Sequence, residues 1–546
     1  MDANSLVAKC LQSQGVSRVY GILGIPVIEL ANAISESGIQ FYAFRNEQAA
    51  SYAAGAEGYL TGRPGVCLTV SGPGLIHALA GLSNAKVNNW PMICIAGAVQ
   101  MDQEEMGGFQ EYPQVESARL HVKWAARVND IHMLTRVITK AFRMALAGRP
   151  GPVYVDLPAN LFKESVESPQ FAPLYTPPLP PLPHHQQITQ LLILLRTATA
   201  PLIIFGKGAA YARAETHART FIEKTNLPFL PTPMGKGLLS DLHPNCVSAA
   251  RSTAISSADV VIFFGARLNW MLHFGLPPRF RADLKVVQVD IDATELGNNV
   301  HPTLPIAADV NETLCMLNAA LDKSPYVLPK ASAWWGKLAQ KVASNAALNT
   351  QMAQVPVLNY YNALGQVRSL LSDDTILMCE GANTMDIART VLPSTQPRQR
   401  LDAGSFGTMG VGLGFLIAAK ACFPLKSVVG VMGDSAFGFS AMELETVTRY
   451  RLDMTIIIIN NNGVFGGPPT LPADVKEIPP NALNPEAKYE LLAEAFGGKG
   501  YRVSSQAELA AALEDARKRP GLKVINTLID TTSGKKPQEH FWLSKL

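Results

Sequence analysis

Two apolar runs, Ser427–Met432 and Met454–Ile459, each lead into a polar turn, and the polar residues Asp434 and Asn461 stand 27 positions apart. Both runs are rich in β-branched residues and nearly free of charge, the pattern of strands buried on both faces in a parallel sheet. The intervening stretch Ser440–Val447 reads as a helix, with Ser440 and Glu443 at capping-box spacing. A strand–helix–strand crossover brings both strand ends to the same edge of the sheet, where α/β folds bind ligands.

That placement limits the chemistry. Asp434 offers a carboxylate oxygen, Asn461 an amide oxygen, and the Asn462–Gly463 turn a backbone carbonyl. Such a set suits a small hard cation like Mg²⁺, with further places left to phosphate oxygens. The amides around Gly433, Asp434, Ser435 and Ala436, at a helix start, can face a diphosphate. An ordinary strand–turn–helix is the alternative, but the spacing of one crossover and the polar residues at both strand ends favour the ligand site. Gly433-Asp434-Ser435 followed by Asn461-Asn462 resembles the thiamine-diphosphate motif of the 2-oxoacid decarboxylases and their relatives, and the resemblance extends over the whole chain. It implies an α/β fold of three doubly wound parallel-sheet domains: pyrimidine-binding (1–165), middle (188–325) and diphosphate-binding (357–546). It also implies thiamine diphosphate and Mg²⁺ as cofactors.

At 546 residues the chain exceeds a single core. Its 47% apolar and 17% charged residues describe a globular protein with apolar surface to spare for subunit interfaces. A net charge of +3 without a basic run argues against nucleic acid or anionic membrane as partners. The seven cysteines show no paired spacing, which points to a reducing compartment and away from a zinc or disulfide framework. No run reaches the roughly 20 apolar residues of a membrane span, and Met1–Asn4 has no signal-peptide character. The terminal Ser544-Lys545-Leu546 is a peroxisomal address, which brings in the peroxisomal import receptor as a partner.

Along the first segment, strands at Val19–Ile22, Gln40–Ala43, Gly65–Val70, Met92–Gly97 and Pro152–Asp156 alternate with helical stretches, as in a doubly wound sheet. Glu47 opens a helix of small apolar residues. A glutamate there is satisfied by the helix dipole alone. The resemblance gives Arg45-Asn46-Glu47-Gln48 a second reading, in which Glu47 is the glutamate that hydrogen-bonds the cofactor's aminopyrimidine and favours its imino tautomer. Burial against apolar residues would raise its pKa and let it supply that proton.

Residues 167–187 hold seven prolines and read as a stiff interdomain linker. The second unit has strands at Pro201–Phe205, Val260–Phe264 and Val286–Asp290. Each ends in glycine or charge, so Lys207 and Arg267 are candidates for phosphates and Asp290 for a ribose; a purely structural Rossmann-like domain would also fit. The segment resembles the middle domain of the oxalyl-CoA decarboxylases and 2-hydroxyacyl-CoA lyases, which implies a CoA or adenine-nucleotide role for Arg149, Lys207, Arg267, Asp290 and Ile291.

A helical connector spans residues 326–356. In the third unit, Ile376–Cys379 is a strand. The resemblance places its turn, with Asn383 and Thr384, at the diphosphate. The stretch 404–412 is glycine-rich, which suggests close backbone approach to a ligand. There Gly407 joins the cofactor-binding residues, and Met409 is the bulky residue that bends the cofactor; core packing is the other reading of Met409. The resemblance further implies a homo-oligomer, a dimer of dimers, with Glu47 of one subunit facing Asp434 of its neighbour.

The reaction is read from Gly107–Glu116, too polar and glycine-rich for a strand and so an active-site loop. Phe109-Gln110-Glu111 resembles the 2-hydroxyacyl-CoA lyases, whereas the decarboxylases carry Tyr-Glu in place of Phe109-Gln110. An amide at Gln110 can donate to and accept from a hydroxyl. The implied reaction is cleavage of a 2-hydroxyacyl-CoA to formyl-CoA and an aldehyde one carbon shorter, as in fatty acid α-oxidation, with Glu47 and Gln110 catalytic. Glu539–Leu543 resembles the lyase ending and is expected to act as a lid. The alternatives are an oxalyl-CoA decarboxylase, an acetolactate-synthase-like ligase and a silent scaffold. Intact Glu47, Asp434 and Asn461 argue against the last.

Overall fold

The computed structural model of the chain describes residues 1–534; the expected lid (Glu539–Leu543) and the terminal Ser544-Lys545-Leu546 lie outside them. Among the described residues the strands form three wholly parallel sheets. The first comprises β1 (Arg18–Gly21), β2 (Gln40–Ala43), β3 (Gly65–Thr69), β4 (Met92–Ala98), β5 (Trp124–Arg127) and β6 (Pro152–Pro158), in the order 2-1-3-4-6-5. The second comprises β7 (Pro201–Phe205), β8 (Phe229–Pro231), β9 (Val260–Phe264), β10 (Lys285–Asp290) and β11 (Leu304–Ala307), in the order 11-10-9-7-8. The third comprises β12 (Ile376–Glu380), β13 (Arg400–Asp402), β14 (Val428–Gly433), β15 (Met454–Asn460), β16 (Lys499–Val503) and β17 (Leu522–Leu528), in the order 13-12-14-15-17-16. The three-sheet α/β architecture is the expected one.

Each sheet reverses its winding beside its first strand: between β1 and β3, between β7 and β9, and between β12 and β14; the first and third sheets turn back again at their far edges, from β5 to β6 and from β16 to β17. At such a point the connections leave in opposite directions and open a crevice beyond the carboxyl ends of the strands. The crevices are bordered by Ser71–Gly74, by Lys207 with Gly265–Arg267, and by Gly381–Thr384 with Asp434. The second and third crevices thus hold residues that the sequence singles out.

The first and third sheets share a hydrophobic core within one chain. Tyr52 and Trp90 pack on Phe415, the latter pair with ring centroids 5.3 Å apart. The proline-rich linker is strapped to the first domain, since Gln14 donates to the Pro173 carbonyl (2.9 Å) and Arg63 to that of Tyr175 (2.9 Å). The connector helix Ala333–Ala353 docks on the second domain, where Trp334 donates to the Pro201 carbonyl at 2.9 Å.

The expected capping box at Ser440 does not form. Ala441–Glu443 is a 3₁₀ turn, the helix starts at Leu444, and the Ser440 hydroxyl is buried without a partner. Glu443 is recruited elsewhere. Its buried carboxylate accepts the backbone N–H groups of Arg45 (3.1 Å) and Asn46 (3.0 Å) and the Thr446 hydroxyl (2.6 Å). Arg449 and Tyr450 hold both backbone groups of Ala43 at 2.8 Å. The third domain therefore grips the segment that leads into Glu47.

Burial pushes the Glu443 carboxyl up to about 6, against the hydrogen bonds it accepts. The folded state then holds this proton more tightly than the unfolded chain does. The protonated form's contribution to stability is full below the ordinary carboxyl range and is lost as the pH rises through about 6. Compared with Glu443→Gln, which stays neutral, the parent should lose about 2 kcal/mol between pH 4 and pH 7. Denaturation curves of both proteins at the two pH values measure this, and parallel pH profiles would contradict it.

Candidate active site

The third crevice is built from strand ends. Asp434 starts a short helix directly after β14, 2% exposed. Its Oδ1 accepts the N–H of Ser435 (2.8 Å) and its Oδ2 that of Gly463 (3.0 Å). Burial pushes its carboxyl up to about 6. Asn461 lies one residue beyond β15, and its Nδ2 donates to the Tyr360 hydroxyl at 3.0 Å, leaving Oδ1 available to a cation. Thr384 and Asn383 occupy the first turn of the helix that follows β12. A Cβ built on Gly433 would stand 3.4 Å from the Thr384 hydroxyl, so the two strand ends close on each other. Gly381, at φ +102°, makes the turn between β12 and that helix.

This set fits a cation completed by a diphosphate. Asp434 is a buried carboxylate whose partners are backbone amides, and amide oxygen stands beside it. Among the described residues no three His, Cys, Asp or Glu side chains converge on a metal, so a closed all-protein cage is not the design. In this geometry Gly463 meets Asp434 through its N–H.

The sequence reading missed Tyr360. This buried hydroxyl joins Asn461 to the neighbourhood of Thr384 and Asn383, and burial followed by the nearby Asp434 pushes it up to about 12. It lies 74 positions before Asp434; the one local signal is the Asn359/Asn362 capping box that starts its helix.

The glycine-rich stretch behaves differently from the expectation at several positions. Gly404, Gly410 and Gly412 are needed because side chains there would meet Asn88, Phe439 and Met432 or Glu380 of the protein itself. Gly407, at φ +69°, has open space around it. Glu380, wholly buried at the end of β12, clasps the loop, its carboxyl accepting the N–H groups of Gly410, Val411 (3.2 Å) and Gly412 (2.9 Å). Burial pushes it up to about 8 against those three donors. Met409 is carried on this clasped loop, partly exposed.

In the first domain, Glu47 occupies the first turn of the Glu47–Thr61 helix, capped by the Asn46 side chain on the N–H of Gln48 (2.8 Å). Its Oε2 lies 3.1 Å from Nδ1 of His77. His77 belongs to the helix Pro73–Asn88, preceded by Ser71 and Gly72 at the crevice. Gln110 comes to the same place. Its Oε1 accepts the Ser71 hydroxyl at 3.3 Å, and a Cβ on Gly72 would stand 2.6 Å from its carbonyl oxygen. Gln110 has φ +55°. Its loop is pinned at both ends. The Glu111 carboxylate accepts the N–H groups of Gly107 (2.9 Å) and Gly108 (3.0 Å). Gln114 bridges Gly72 N–H (2.5 Å), the Gly97 carbonyl (2.9 Å) and Asp156 (2.6 Å), and a helix starts there rather than more loop. Glu47 and Gln110, 63 residues apart, thus converge on the N-terminal end of one helix.

In the second domain, Lys207 is buried at the crevice and its Nζ has no hydrogen-bond partner. Burial holds it well below the ordinary lysine range, with Arg267 and Arg149 adding to the effect. Arg149 pairs with Asp290 (2.9 Å) and Glu295 (2.8 Å), next to the half-exposed Ile291. Arg267 spans domains, donating to the Val87 carbonyl (2.7 Å) and the Ser405 hydroxyl (3.3 Å). A second cationic group, unmarked in the sequence, joins Arg251 and Arg279 of the second domain to Arg389 of the third, beside the imidazole of His273, which is neutral near pH 7. Burial and these neighbours lower Arg251 to about 10 and His273 to about 4.

Comparison with known proteins agrees with this geometry. Residues 1–117, 188–317 and 380–527 match, respectively, the N-terminal TPP binding domain, the central domain and the C-terminal TPP binding domain of the thiamine pyrophosphate enzymes. The chain is 48% identical to 2-hydroxyacyl-CoA lyase 1 of Mus musculus over 99% of its own length and 96% of that protein. It is 46% identical to the Homo sapiens 2-hydroxyacyl-CoA lyase 1, at 99% and 96% coverage. It is 39% identical to the oxalyl-CoA decarboxylase of Escherichia coli (strain K12), at 98% and 96%. A crevice beside the first strand of each sheet and this likeness along nearly the whole length lead to one conclusion: the chain belongs to the thiamine pyrophosphate enzymes, on the side of the 2-hydroxyacyl-CoA lyases.

Proposed function

We propose that the chain is a thiamine-diphosphate- and Mg²⁺-dependent 2-hydroxyacyl-CoA lyase, cleaving its substrate to formyl-CoA and an aldehyde one carbon shorter. The observation that carries the reading is Gln110, a neutral amide held beside the helix that also contacts Glu47. When bound, thiamine diphosphate supplies the nucleophilic carbon and electron sink for cleavage beside a carbonyl. Glu47 would hydrogen-bond the aminopyrimidine and hold the proton exchanged with it. Asp434, Asn461 and Gly463 would hold Mg²⁺. Gly433, Ser435, Ala436, Asn383 and Thr384 would hold the diphosphate, and Met409 and Gly407 would contact the cofactor. Gln110 orients the substrate hydroxyl as it loses its proton.

The CoA part of the substrate is assigned to the second domain (188–325), between a pyrimidine-binding domain (1–165) and a diphosphate-binding domain (357–546). The Nζ of Lys207, buried and without a hydrogen-bond partner, supports phosphate recognition there with Arg267; Arg149, Asp290 and Ile291 would meet the adenosine. The cationic group around Arg251 adds positive charge between the second and third domains. A homotetramer, two dimers with active sites between subunits, is supported by exposed apolar residues beside both half-sites: Ile76 and Phe109 near Glu47 and Gln110, Phe439 and Phe465 near Asp434 and Asn461.

Kinetics on a 2-hydroxyacyl-CoA and on oxalyl-CoA test the assignment. Gln110→Ala should lower kcat/KM for the hydroxyacyl substrate roughly 5- to 150-fold, the effect of one directed buried hydrogen bond, with the cofactor still bound. Gln110→Glu should impair the lyase reaction through an added carboxylate. A parent that prefers oxalyl-CoA, or two variants as active as the parent, would refute it.

The assigned compartment is the peroxisome, reached through the import receptor and consistent with a role in fatty acid α-oxidation. Deleting Ser544-Lys545-Leu546 should leave an N-terminally tagged chain in the cytosol of a host without its own copy. Persistent co-localisation with a peroxisomal marker would contradict this.

A further inference from the structure

We infer that His77 is a positioning residue for Glu47, holding one carboxyl oxygen so that the other faces the aminopyrimidine. The inference rests on the activating role proposed for Glu47. His77 Nδ1 lies 3.1 Å from Glu47 Oε2. The opposite oxygen, Oε1, lies over Gly74, where a built Cβ would approach it to 3.5 Å. A Cβ at that glycine would touch the carboxyl at ordinary van der Waals distance, while its clash, at 2.6 Å, would be with Val70.

The two helices that carry this pair have little freedom to separate or slide. Gly81 sits directly against Ser51, where a Cβ would stand 2.0 Å from the Ser51 hydroxyl. Ala50, Ala53, Ala54, Ala78 and Leu82 fill the same seam, wholly buried. The first residue of one helix and the second turn of the other are therefore fixed by backbone packing. What remains adjustable is the rotation of the Glu47 carboxyl, and His77 restricts it. The Glu47 side chain is 12% exposed and that of His77 58%, so the imidazole is the more open member of the pair. With the ring neutral, Nδ1–H donates to the ionised carboxylate, and the other tautomer accepts from the protonated carboxyl. The pair is thus satisfied in both states through which Glu47 passes, and neither leaves Oε2 free to rotate away.

The same helix meets Gln110 through Ser71 and Gly72. His77 therefore ties Glu47 to the element against which the substrate-facing loop rests, and the orientation of the carboxyl is set relative to Gln110 as well as to its own helix.

The test uses the full-length protein with Mg²⁺ and thiamine diphosphate, in the parent and in His77→Phe, His77→Asn and Glu47→Gln. Hydrogen–deuterium exchange at C2 of the bound cofactor, without substrate, is read by acid quench and proton NMR. Cofactor affinity is read by titration calorimetry. His77→Phe keeps ring shape and removes the hydrogen bond; exchange should slow about 10- to 100-fold, with affinity within about threefold of the parent. His77→Asn places an amide nitrogen near the position of Nδ1 and should restore exchange to within about threefold of the parent. His77 is more than half exposed, so folding should tolerate both, and His77→Leu replaces His77→Phe if it does not fold. Parental exchange in His77→Phe with slow exchange in Glu47→Gln overturns the role of His77 and leaves that of Glu47 standing. Equal slowing in the Phe and Asn variants also overturns it, because a directed hydrogen bond should be rescued by the amide. Parental exchange in Glu47→Gln instead overturns the proposed role of Glu47 itself.

Discussion

Asp434→Ala should abolish Mg²⁺-dependent binding of thiamine diphosphate, weakening affinity by more than about 100-fold. Loss of a group that merely supports a metal ligand costs about 10- to 100-fold, and removal of a charged ligand costs more. The carboxylate sits at the end of β14, and both of its oxygens are held by backbone amides, at Ser435 and Gly463. Nothing among these partners carries a positive charge, so a cation is what would compensate the charge when Asp434 is ionised. Without it a diphosphate would face Asn461 and a row of amides with its charge largely unneutralised. Folding should survive. Burial holds the Asp434 carboxyl up to about 6, so in metal-free protein its ionised form costs stability above that pH, and alanine removes the cost. The metal-free variant should therefore melt no lower than the parent at pH 7. Calorimetric titration of the cofactor with Mg²⁺ and with EDTA is the measurement. Unchanged affinity in the variant would show that the cation is held elsewhere.

Glu47→Gln should preserve fold and cofactor binding and slow exchange at C2 of the bound cofactor by orders of magnitude. The amide keeps the shape of the side chain and can still meet His77, but it cannot give and retake a proton. Glu47 is 9% exposed and stands in the first turn of its helix, where charge is also favoured by the helix dipole. If the dipole alone explained the residue, the change would cost a few tenths of a kcal/mol in stability, up to about 1 kcal/mol, and leave exchange alone. The two explanations thus separate by measurement: a shift in melting temperature with parental exchange supports capping, and slow exchange with parental melting supports proton transfer.

Central strands were legible because burial on both faces leaves them no room for polar residues. β4, β7, β9 and β14 stand as unbroken apolar runs, and β15 holds four consecutive isoleucines. Several of the strands that went unread lie at sheet edges or carry charge. Trp124–Arg127 and Lys499–Val503 are edge strands with basic residues, and Leu522–Leu528 is central yet contains Lys523 and Asn526. There the neighbouring strand, rather than local composition, sets the conformation.

The residues themselves determined the parallel α/β class, three units separated by a proline-rich linker and a helical connector, and the pairing of Asp434 with Asn461 at one sheet edge. Each follows from short-range rules: burial on both faces demands apolar runs, and a single crossover has a narrow range of lengths. Only the tertiary structure decided that Glu443 caps nothing locally and instead grips Arg45 and Asn46, because a buried carboxylate takes whichever amides packing brings to it. Packing likewise brought Tyr360 to Asn461, clasped the glycine loop on Glu380, and set His77 and Gln110 around the helix beside Glu47. Those contacts join residues 30 to more than 300 positions apart, where no periodicity reaches and only the meeting of separately wound sheets can place two polar atoms at hydrogen-bonding distance.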